Sequence, residues 1–275
     1  MTTPPRRHLL TIFLTFFALY LGWAAFLFLS QRRMMFPAPR LAAAGQEEDR
    51  APADVQQVWL DVSGDRVEAW FLAAEDTAPA PAVLFAHGNA ELIDHALFDG
   101  RGLRELGMSV LLVEYPGYGR SEGRPTRSSI GQAFDAAYDW LRGRDEVDPA
   151  RIVGMGRSLG TGAITDLARE RSLQAMVLIS PFTSVGAFAK GYLLPAFLAL
   201  DRFDNLAVLR HWQGPVLLIH GTRDRIIPHT HSERLVQASP SAELVSLDCG
   251  HNDCPPNEAV YLDAIRAFLA EAGVL

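Results

Sequence analysis

The segment Gly156-Arg157-Ser158-Leu159-Gly160 places a serine hydroxyl between two glycines. The apolar run Ile152-Val153-Gly154-Met155 precedes it, and the small residues Thr161-Gly162-Ala163 follow. This order predicts a strand, a sharp turn and then a helix. The glycines permit a strained turn in which neighbouring backbones approach closely. The segment therefore predicts a serine nucleophile held out at the end of a sheet.

A second segment, Gly119-Arg120-Ser121-Glu122-Gly123, fits the same pattern. Its context is different, because the turn-forming residues Tyr115-Pro116-Gly117-Tyr118 precede it and Gly123-Arg124-Pro125 follows it. Neither flank predicts a strand or a helix. We therefore interpret Ser121 as a loop residue.

The glycines around Ser158 also resemble a dinucleotide-binding loop. That site requires a loop after the first strand and an acidic residue at the end of the next strand. Here the loop lies past the middle of the chain, and the next strand, 175–179, ends in Ser180-Pro181. The sequence disfavours nucleotide binding, and we expect no cofactor.

A serine hydroxyl needs a general base, and the base needs a group that fixes its tautomer. Among the eight histidines, His251 lies in the loop after the last predicted strand, whereas His220 ends a buried strand as a packed, hydrogen-bonded residue would. The carboxyl ends of parallel strands share one sheet edge, so the loops of His251 and Ser158 meet there. We predict that His251 is the base.

Asp224, just past strand 215–219, is the predicted orienting acid. It gives the chain order serine, aspartate, histidine that accompanies this type of nucleophile turn. The alternative for Asp224 is a loop residue that caps the next helix. Asp201 and Asp204 are alternatives, although the apolar segment before them indicates a cap. Asp248 and Asp253 are too close in sequence to His251 to lie easily opposite its far nitrogen.

Two backbone N–H groups should hold the oxyanion. We predict Leu159, next to the nucleophile, and Asn89, in the loop after strand 82–86. Gly88 permits a tight turn there. The alternative is that His87-Gly88 forms an ordinary turn at the end of a strand.

Short apolar strands alternate with amphipathic helices along residues 55–275, after an opening hairpin of strands 55–62 and 66–73. This alternation predicts an α/β fold with a mostly parallel sheet, helices on both faces and an antiparallel start. The remaining predicted strands are 82–86, 109–114, 151–156, 175–179, 215–219 and 243–247. The predicted helices are 92–106, one that carries Ile130, Phe134 and Leu141 on one face, 159–171, 230–238 and one from about 257.

The segment between strands 175–179 and 215–219 is longer than one crossover helix requires. Residues 185–200 are apolar, with Lys190 as their only charge. They predict either a cap, placed at about 182–212, that lines an acyl-chain pocket or touches a membrane, or a core helix with a long loop.

Residues 9–30 contain no charged residue, and a helix of this length spans about 33 Å, enough to cross a bilayer core. A signal peptide is the alternative, but its apolar core is shorter and a small-x-small site follows it. We therefore predict a flank at 1–8, an uncleaved anchor at 9–30 and a linker at 31–54, with residues 37–54 rich in Pro, Ala and charge. Arginines flank the anchor on both sides, so orientation is nearly balanced and only slightly favours an extracytoplasmic domain.

The net charge of −7 argues against nucleic acid as a partner. The two cysteines, Cys249 and Cys254, bracket His251; they pair in an oxidising compartment and stay free thiols in the cytoplasm. His229-Thr230-His231 lacks a third ligand at convincing spacing, so we expect no metal. The sequence leaves the oligomeric state open.

Five segments in order resemble the α/β-hydrolase superfamily: His87-Gly88-Asn89-Ala90, Tyr115-Pro116-Gly117-Tyr118-Gly119-Arg120-Ser121, Gly156-Arg157-Ser158-Leu159-Gly160, His220-Gly221-Thr222-Arg223-Asp224 and Gly250-His251-Asn252-Asp253. Within it, residues 34–273 are most similar to the single-pass membrane-anchored α/β-hydrolase-domain serine hydrolases. The resemblance implies a Ser158-Asp224-His251 triad and an acyl-enzyme mechanism on lipid esters, thioesters of acylated proteins or, occasionally, peptides.

These observations predict a membrane-anchored serine hydrolase of the esterase, lipase or thioesterase type, acting on hydrophobic acyl substrates. A serine peptidase of the same fold is one alternative. A different class of function is a catalytically inactive scaffold tethered to the membrane.

Overall fold

A computed structural model describes residues 6–38, 51–75 and 79–275 of the chain. The N-terminal part is one long helix, α1, Arg6–Met35, which is apolar and long enough to cross a membrane; a signal sequence near an N-terminus meets the same criterion. The predicted anchor lies within α1. Residues 31–35, assigned above to the linker, continue the helix, and Gln31 and Arg32 contact Leu198 and Asp201 of the folded domain. Residues 1–5 of the predicted flank and 39–50 of the linker lie outside the described residues.

Eight strands form one sheet in the order β1-β2-β4-β3-β5-β6-β7-β8. Their bounds are β1 Gln56–Val62, β2 Asp65–Leu72, β3 Ala80–Ala86, β4 Ser109–Val113, β5 Val147–Arg157, β6 Ala175–Ile179, β7 Val216–Gly221 and β8 Ala242–Leu247. Strands β1 and β2 pair antiparallel, as does β2 with β4, and every later pairing is parallel. The predicted mostly parallel sheet with an antiparallel start is confirmed.

Helices cover both faces of this sheet because alternate strand residues point to opposite sides. In β3, Leu84 packs into the core cluster that includes Phe134 of one helix, whereas Phe85 packs into the cluster that includes Phe268 of another. The helices are α2 Ile93–Glu105, α3 Arg127–Arg142, α4 Leu159–Leu167, α5 Val185–Gly191, α6 Asn205–Leu209, α7 Thr230–Ala238 and α8 Glu258–Glu271.

The chain between β6 and β7 contains α5, a 3₁₀ turn at Ala196–Leu198 and α6. We refer to residues 182–212 as the cap. No residue of α5 is buried, so α5 is not a core helix. The cap lies beside the carboxyl ends of the parallel strands and contacts α1, as described below.

Candidate active site

Ser158 occupies the turn between β5 and α4, as its sequence context predicts. Its φ is +51° and its ψ is −114°, a conformation that costs a non-glycine residue about 1–3 kcal/mol. The N–H of Ser158 donates to the carbonyl of Ile179 at 2.8 Å, and its carbonyl accepts from the Thr161 hydroxyl at 2.7 Å. These bonds fix the backbone, so the hydroxyl has a defined position at the edge of the sheet.

The glycines on either side of Ser158 are required by close backbone contact. A Cβ on Gly156 would lie 2.5 Å from the carbonyl oxygen of Gly160, and a Cβ on Gly160 would overlap the carbonyl of Ala86. Backbone atoms cannot rotate away as a flexible side chain can. Gly156 therefore lets α4 turn back directly against β5, and Gly160 lets α4 start against the end of β3.

His251 lies in the loop after β8 and reaches the nucleophile. Its Nε2 is 3.0 Å from Ser158 Oγ, and its Nδ1 is 2.6 Å from Asp224 Oδ2. A carboxylate only accepts, so the proton of the neutral ring lies on Nδ1 and Nε2 is the acceptor for the serine proton. Cys249 and Cys254, which form a disulfide in the structure, bracket this loop.

Asp224 follows β7, and its side chain is fully buried. Its Oδ1 accepts from the N–H groups of Ile226 and Ile227, each at 2.8 Å, while Oδ2 faces His251. Asp224 thus shapes the turn after β7 and also holds the histidine; the capping alternative is wrong, because the N-cap residue of α7 is His229. One carboxylate does both because its two oxygens point to different partners.

His220 is a member of the site that the sequence did not identify as one. The sequence predicts a packed, hydrogen-bonded residue, and His220 is buried with Nδ1 2.7 Å from Ser232 Oγ. Its Nε2 lies 2.8 Å from the carbonyl of Ile227 and 3.3 Å from Asp224 Oδ2. Burial lowers the pKa of His220 more than the Ile227 carbonyl and Asp224 raise it. The ring is thus neutral, with its proton on Nε2, and supports Asp224.

The competing residues lie elsewhere. Ser121 is a buried loop residue whose hydroxyl accepts from the N–H of Glu68. Asp201 pairs with Arg32, Asp204 caps α6, Asp248 pairs with Arg223, and Asp253 accepts from the N–H of Gly250.

Asn89 and Leu159 line the same cavity as Ser158 and His251. The Asn89 loop is held in place by the Tyr118 hydroxyl, which donates to the Asn89 carbonyl at 2.7 Å. Glu91 accepts from the N–H of Gly88 at 2.8 Å and pairs with Arg157 at 3.4 Å. These contacts join the loop after β3 to the turn that carries Ser158.

A buried ion pair between His87 and Glu114 supports the loop after β3. His87 Nδ1 lies 2.8 Å from the carbonyl of Gly88, and Nε2 lies 2.7 Å from Glu114. Both partners accept, so both ring nitrogens carry protons. Burial by itself lowers the pKa of His87, but Glu114 and the Gly88 carbonyl outweigh it and the pKa is raised. His87-Gly88 is therefore more than an ordinary turn, since it fixes the loop next to the nucleophile.

The cavity beside Ser158 has a volume of about 790 Å³, within the range of small-molecule sites. Its walls come from the Asn89 loop, the cap and α1, and most of them are aliphatic or aromatic side chains. The described residues contain no group of three or more metal-ligating side chains. His229 and His231 instead hydrogen bond to Ser246 and Thr183.

Comparison with known proteins gives consistent matches. The family model for the alpha/beta hydrolase fold matches residues 189–258, which include Asp224 and His251. An uncharacterised protein of Mycobacterium tuberculosis is 38% identical over 260 residues, covering 92% of this chain and 92% of that protein. The Xenopus laevis alpha/beta hydrolase domain-containing protein 17B is 31% identical over 217 residues, covering 76% of this chain and 72% of that protein.

Two solved structures share the fold. An esterase of Pyrococcus furiosus gives a TM-score of 0.66 at 18% identity, covering 85% of this chain and 96% of that chain. Est1E of Butyrivibrio proteoclasticus, solved with ferulic acid bound, gives a TM-score of 0.68 at 18% identity, covering 79% of this chain and 100% of that chain. At this level of identity the likeness shows the fold alone.

Proposed function

The chain belongs to the α/β-hydrolase superfamily, and from that premise we propose that it is a serine hydrolase. It cleaves carboxylic ester or thioester bonds of hydrophobic acyl substrates. Ser158 is the nucleophile, His251 the general base and acid, and Asp224 the residue that orients His251. The observation that carries the proposal is the continuous hydrogen-bond chain Ser158–His251–Asp224, at 3.0 and 2.6 Å.

In the first step, Ser158 Oγ attacks the acyl carbonyl as its proton moves to Nε2 of His251. The ring becomes an imidazolium, which the buried Asp224 carboxylate stabilises through Nδ1–H. His220 contributes indirectly, since its Nε2–H donates to the Ile227 carbonyl while Nε2 lies 3.3 Å from Asp224 Oδ2, which packs the ring against the Asp224 turn.

The tetrahedral intermediate carries an oxyanion, for which the N–H groups of Asn89 and Leu159 are the proposed donors. Neither N–H donates to another described backbone group. Leu159 is also the first residue of α4, so its N–H belongs to the positive end of the helix dipole. Loss of one such donor typically costs about 3 kcal/mol in the barrier.

His251 then gives its proton to the leaving alcohol or thiol, and the acyl group remains on Ser158. Water attacks this ester with His251 as base, and the acid is released as Ser158 regains its proton. Protons and electrons balance without a cofactor, so the proposed reaction requires none.

The apolar walls of the cavity support the choice of hydrophobic acyl substrates. Burying an apolar acyl chain there is favourable, whereas a charged substrate would lose its hydration without gaining a charged partner. We place the protein in a membrane through α1, with the catalytic domain outside the cytoplasm. The Cys249–Cys254 disulfide supports that side, since disulfides persist in oxidising compartments. Protection of the catalytic domain from external protease in intact cells would contradict this orientation.

Hydrolysis of p-nitrophenyl esters by the full-length protein in detergent tests the proposal. Wild type should turn over the ester, and Ser158→Ala should lower kcat by about 10⁴–10⁶-fold. Ser121→Ala is the matched control, because it removes the hydroxyl of the other G-x-S-x-G segment; it should keep kcat. A protein that folds but hydrolyses no ester and reacts with no fluorophosphonate would be the inactive scaffold instead.

A further inference from the structure

One face of α1 forms part of the cavity wall next to Ser158. The residues on this face are Leu27, Phe28, Gln31, Met34 and Met35, which recur at the spacing of one helix face. The opposite wall is the cap, with Phe182 and Phe188 among its residues. The apolar N-terminal helix α1 therefore forms part of the pocket that receives the acyl group in the proposed function.

The contact between α1 and the cap is specific. Gln31 Nε2 donates to the carbonyl of Leu198 at 3.2 Å, and Gln31 Oε1 accepts from the N–H of Leu200 at 2.9 Å. Both ends of this amide are thus bonded to the backbone, and the cavity wall stays apolar there. Next along the helix, Arg32 Nε lies 2.8 Å from the buried carboxylate of Asp201.

The contact extends up the helix into its uncharged stretch. The Tyr20 hydroxyl donates to the carbonyl of Leu193 at 3.1 Å, and Trp23 Nε1 donates to the carbonyl of Tyr192 at 3.3 Å. Thus the cap turn at residues 192–193 lies beside the part of α1 that would enter the bilayer.

The cap also exposes apolar side chains where it meets α1. Leu193 is 77% exposed and Phe197 is 73% exposed. Isolated apolar residues on a surface are ordinary, but here they adjoin a helix whose own side chains are exposed along most of its length. A bilayer would cover the helix and this edge of the cap together.

We propose that α1 is a wall of the acyl-binding pocket as well as an anchor. The acyl donor is a bilayer-resident ester or thioester, whose chain passes between α1 and the cap to reach Ser158. This inference rests on the proposed hydrolase function and adds the class of substrate, its route and the residues that limit its chain length. A water-soluble donor would have no reason to cross an apolar edge that faces lipid.

Substitutions on two faces of α1 test the wall. Leu27 lines the cavity and is 6% exposed, whereas Leu29, two residues on, is 80% exposed. Leu27→Trp should fill part of the pocket, and Leu29→Trp makes the same change outside it. The assay is kcat/KM for p-nitrophenyl acetate and decanoate with the full-length protein in detergent. Each methylene of the acyl chain that is kept out of the pocket lowers kcat/KM by up to about fourfold. The ratio of kcat/KM for decanoate to that for acetate should therefore fall about tenfold or more in Leu27→Trp alone.

Acetate turnover separates this inference from the function on which it rests. If wild type hydrolyses acetate and the ratio is the same in both variants, α1 is not a wall and the hydrolase proposal stands. If wild type hydrolyses neither ester, the hydrolase proposal itself fails. Should Leu27→Trp not fold, Met34→Trp decides by the same ratio, because Met34 lines the cavity but is half exposed and tolerates a larger side chain.

Vesicles test the route. The full-length protein is reconstituted in phosphatidylcholine vesicles that contain a lipid-anchored palmitoyl thioester, or is mixed with separate vesicles that contain it. Cleavage confined to the thioester in the protein's own bilayer is the expected result. Equal rates in both arrangements would overturn entry from the bilayer.

Discussion

Replacing Asp224 by asparagine should disable the triad through a defined change of hydrogen bonding. Asp224 Oδ1 is held by the N–H groups of Ile226 and Ile227, so the asparagine oxygen keeps that position. The asparagine NH₂ group then replaces Oδ2, the atom that faces His251. Because NH₂ donates, the proton of His251 moves from Nδ1 to Nε2. Nε2 can then no longer accept the proton of Ser158.

The size of the effect follows from that tautomer. A triad histidine in the wrong tautomer lowers kcat about 10⁴-fold, or about 5 kcal/mol in the activation barrier. The substitution also places the new NH₂ group 3.3 Å from Nε2–H of His220, where two donors meet. Binding contacts in the cavity are unaffected, so the loss should fall on kcat rather than on KM.

The assay is kcat for p-nitrophenyl acetate with the full-length protein. Asp248→Asn provides the control, since Asp248 lies in the same sheet-edge region but is exposed and paired with Arg223. This variant should keep kcat within about twofold, as most surface substitutions do. A folded Asp224→Asn protein with more than about a tenth of wild-type kcat would refute the assigned role of Asp224.

Three further predictions concern the scaffold of the site. Gly160→Ala should lower the free energy of unfolding by about 1–3 kcal/mol, because its Cβ meets the Ala86 backbone, whereas Gly131→Ala, with open space around its Cβ, should not; equal thermal melting of the two would contradict this. For His220→Gln, the pKa of His220 is lowered by burial, so its stabilisation is present above pH 6.5 and fades as pH falls through the lowered value. The difference in melting temperature from wild type should therefore shrink in acid. For Glu114→Gln the expected pH dependence is the reverse, because pairing with Glu114 raises the pKa of His87 despite burial. That difference should be largest below pH 6.5 and shrink as pH rises; a pH-independent difference in either variant would reject its charge assignment.

Much of the fold follows from local pattern. Buried strands of a parallel sheet are short apolar runs, and turns mark their ends, so the strands were recoverable from the sequence in the right order. Because the carboxyl ends of parallel strands lie at one sheet edge, the sequence also predicts that the loops of Ser158, Asp224 and His251 lie close together. The three side chains do meet at hydrogen-bond distance.

The first and last residues of strands and helices are harder to predict from the sequence, because contacts with distant segments decide where each element ends. Strand β5 begins at Val147, four residues before the predicted start, since Val147 pairs with Ala80 across a register shift. Asp148 and Arg151 are polar, so the apolar pattern that predicts the strand does not extend back to Val147 in the sequence. Helix α4 ends at Leu167 rather than at 171, because its last turn tightens into bonds such as Glu170 N–H to the Leu167 carbonyl.

Contacts between distant segments were not predictable from periodicity. The sequence separated α1 from the cap by more than 140 residues, and only the structure joins Trp23 to Tyr192. His220 was visible as the end of a strand, but its contact with Asp224 depends on how the turn after β7 folds back. A histidine four residues before the predicted acid was the one available signal.

Mapping the residue that a fluorophosphonate modifies tests the central claim most directly. Full-length wild-type protein is labelled in detergent, digested and analysed by tandem mass spectrometry, with Ser158→Ala in parallel. The hydrolase proposal predicts a single phosphonylated residue, Ser158, and no adduct in the variant. An adduct on Ser121 or on any other residue, with Ser158 unmodified, would contradict it.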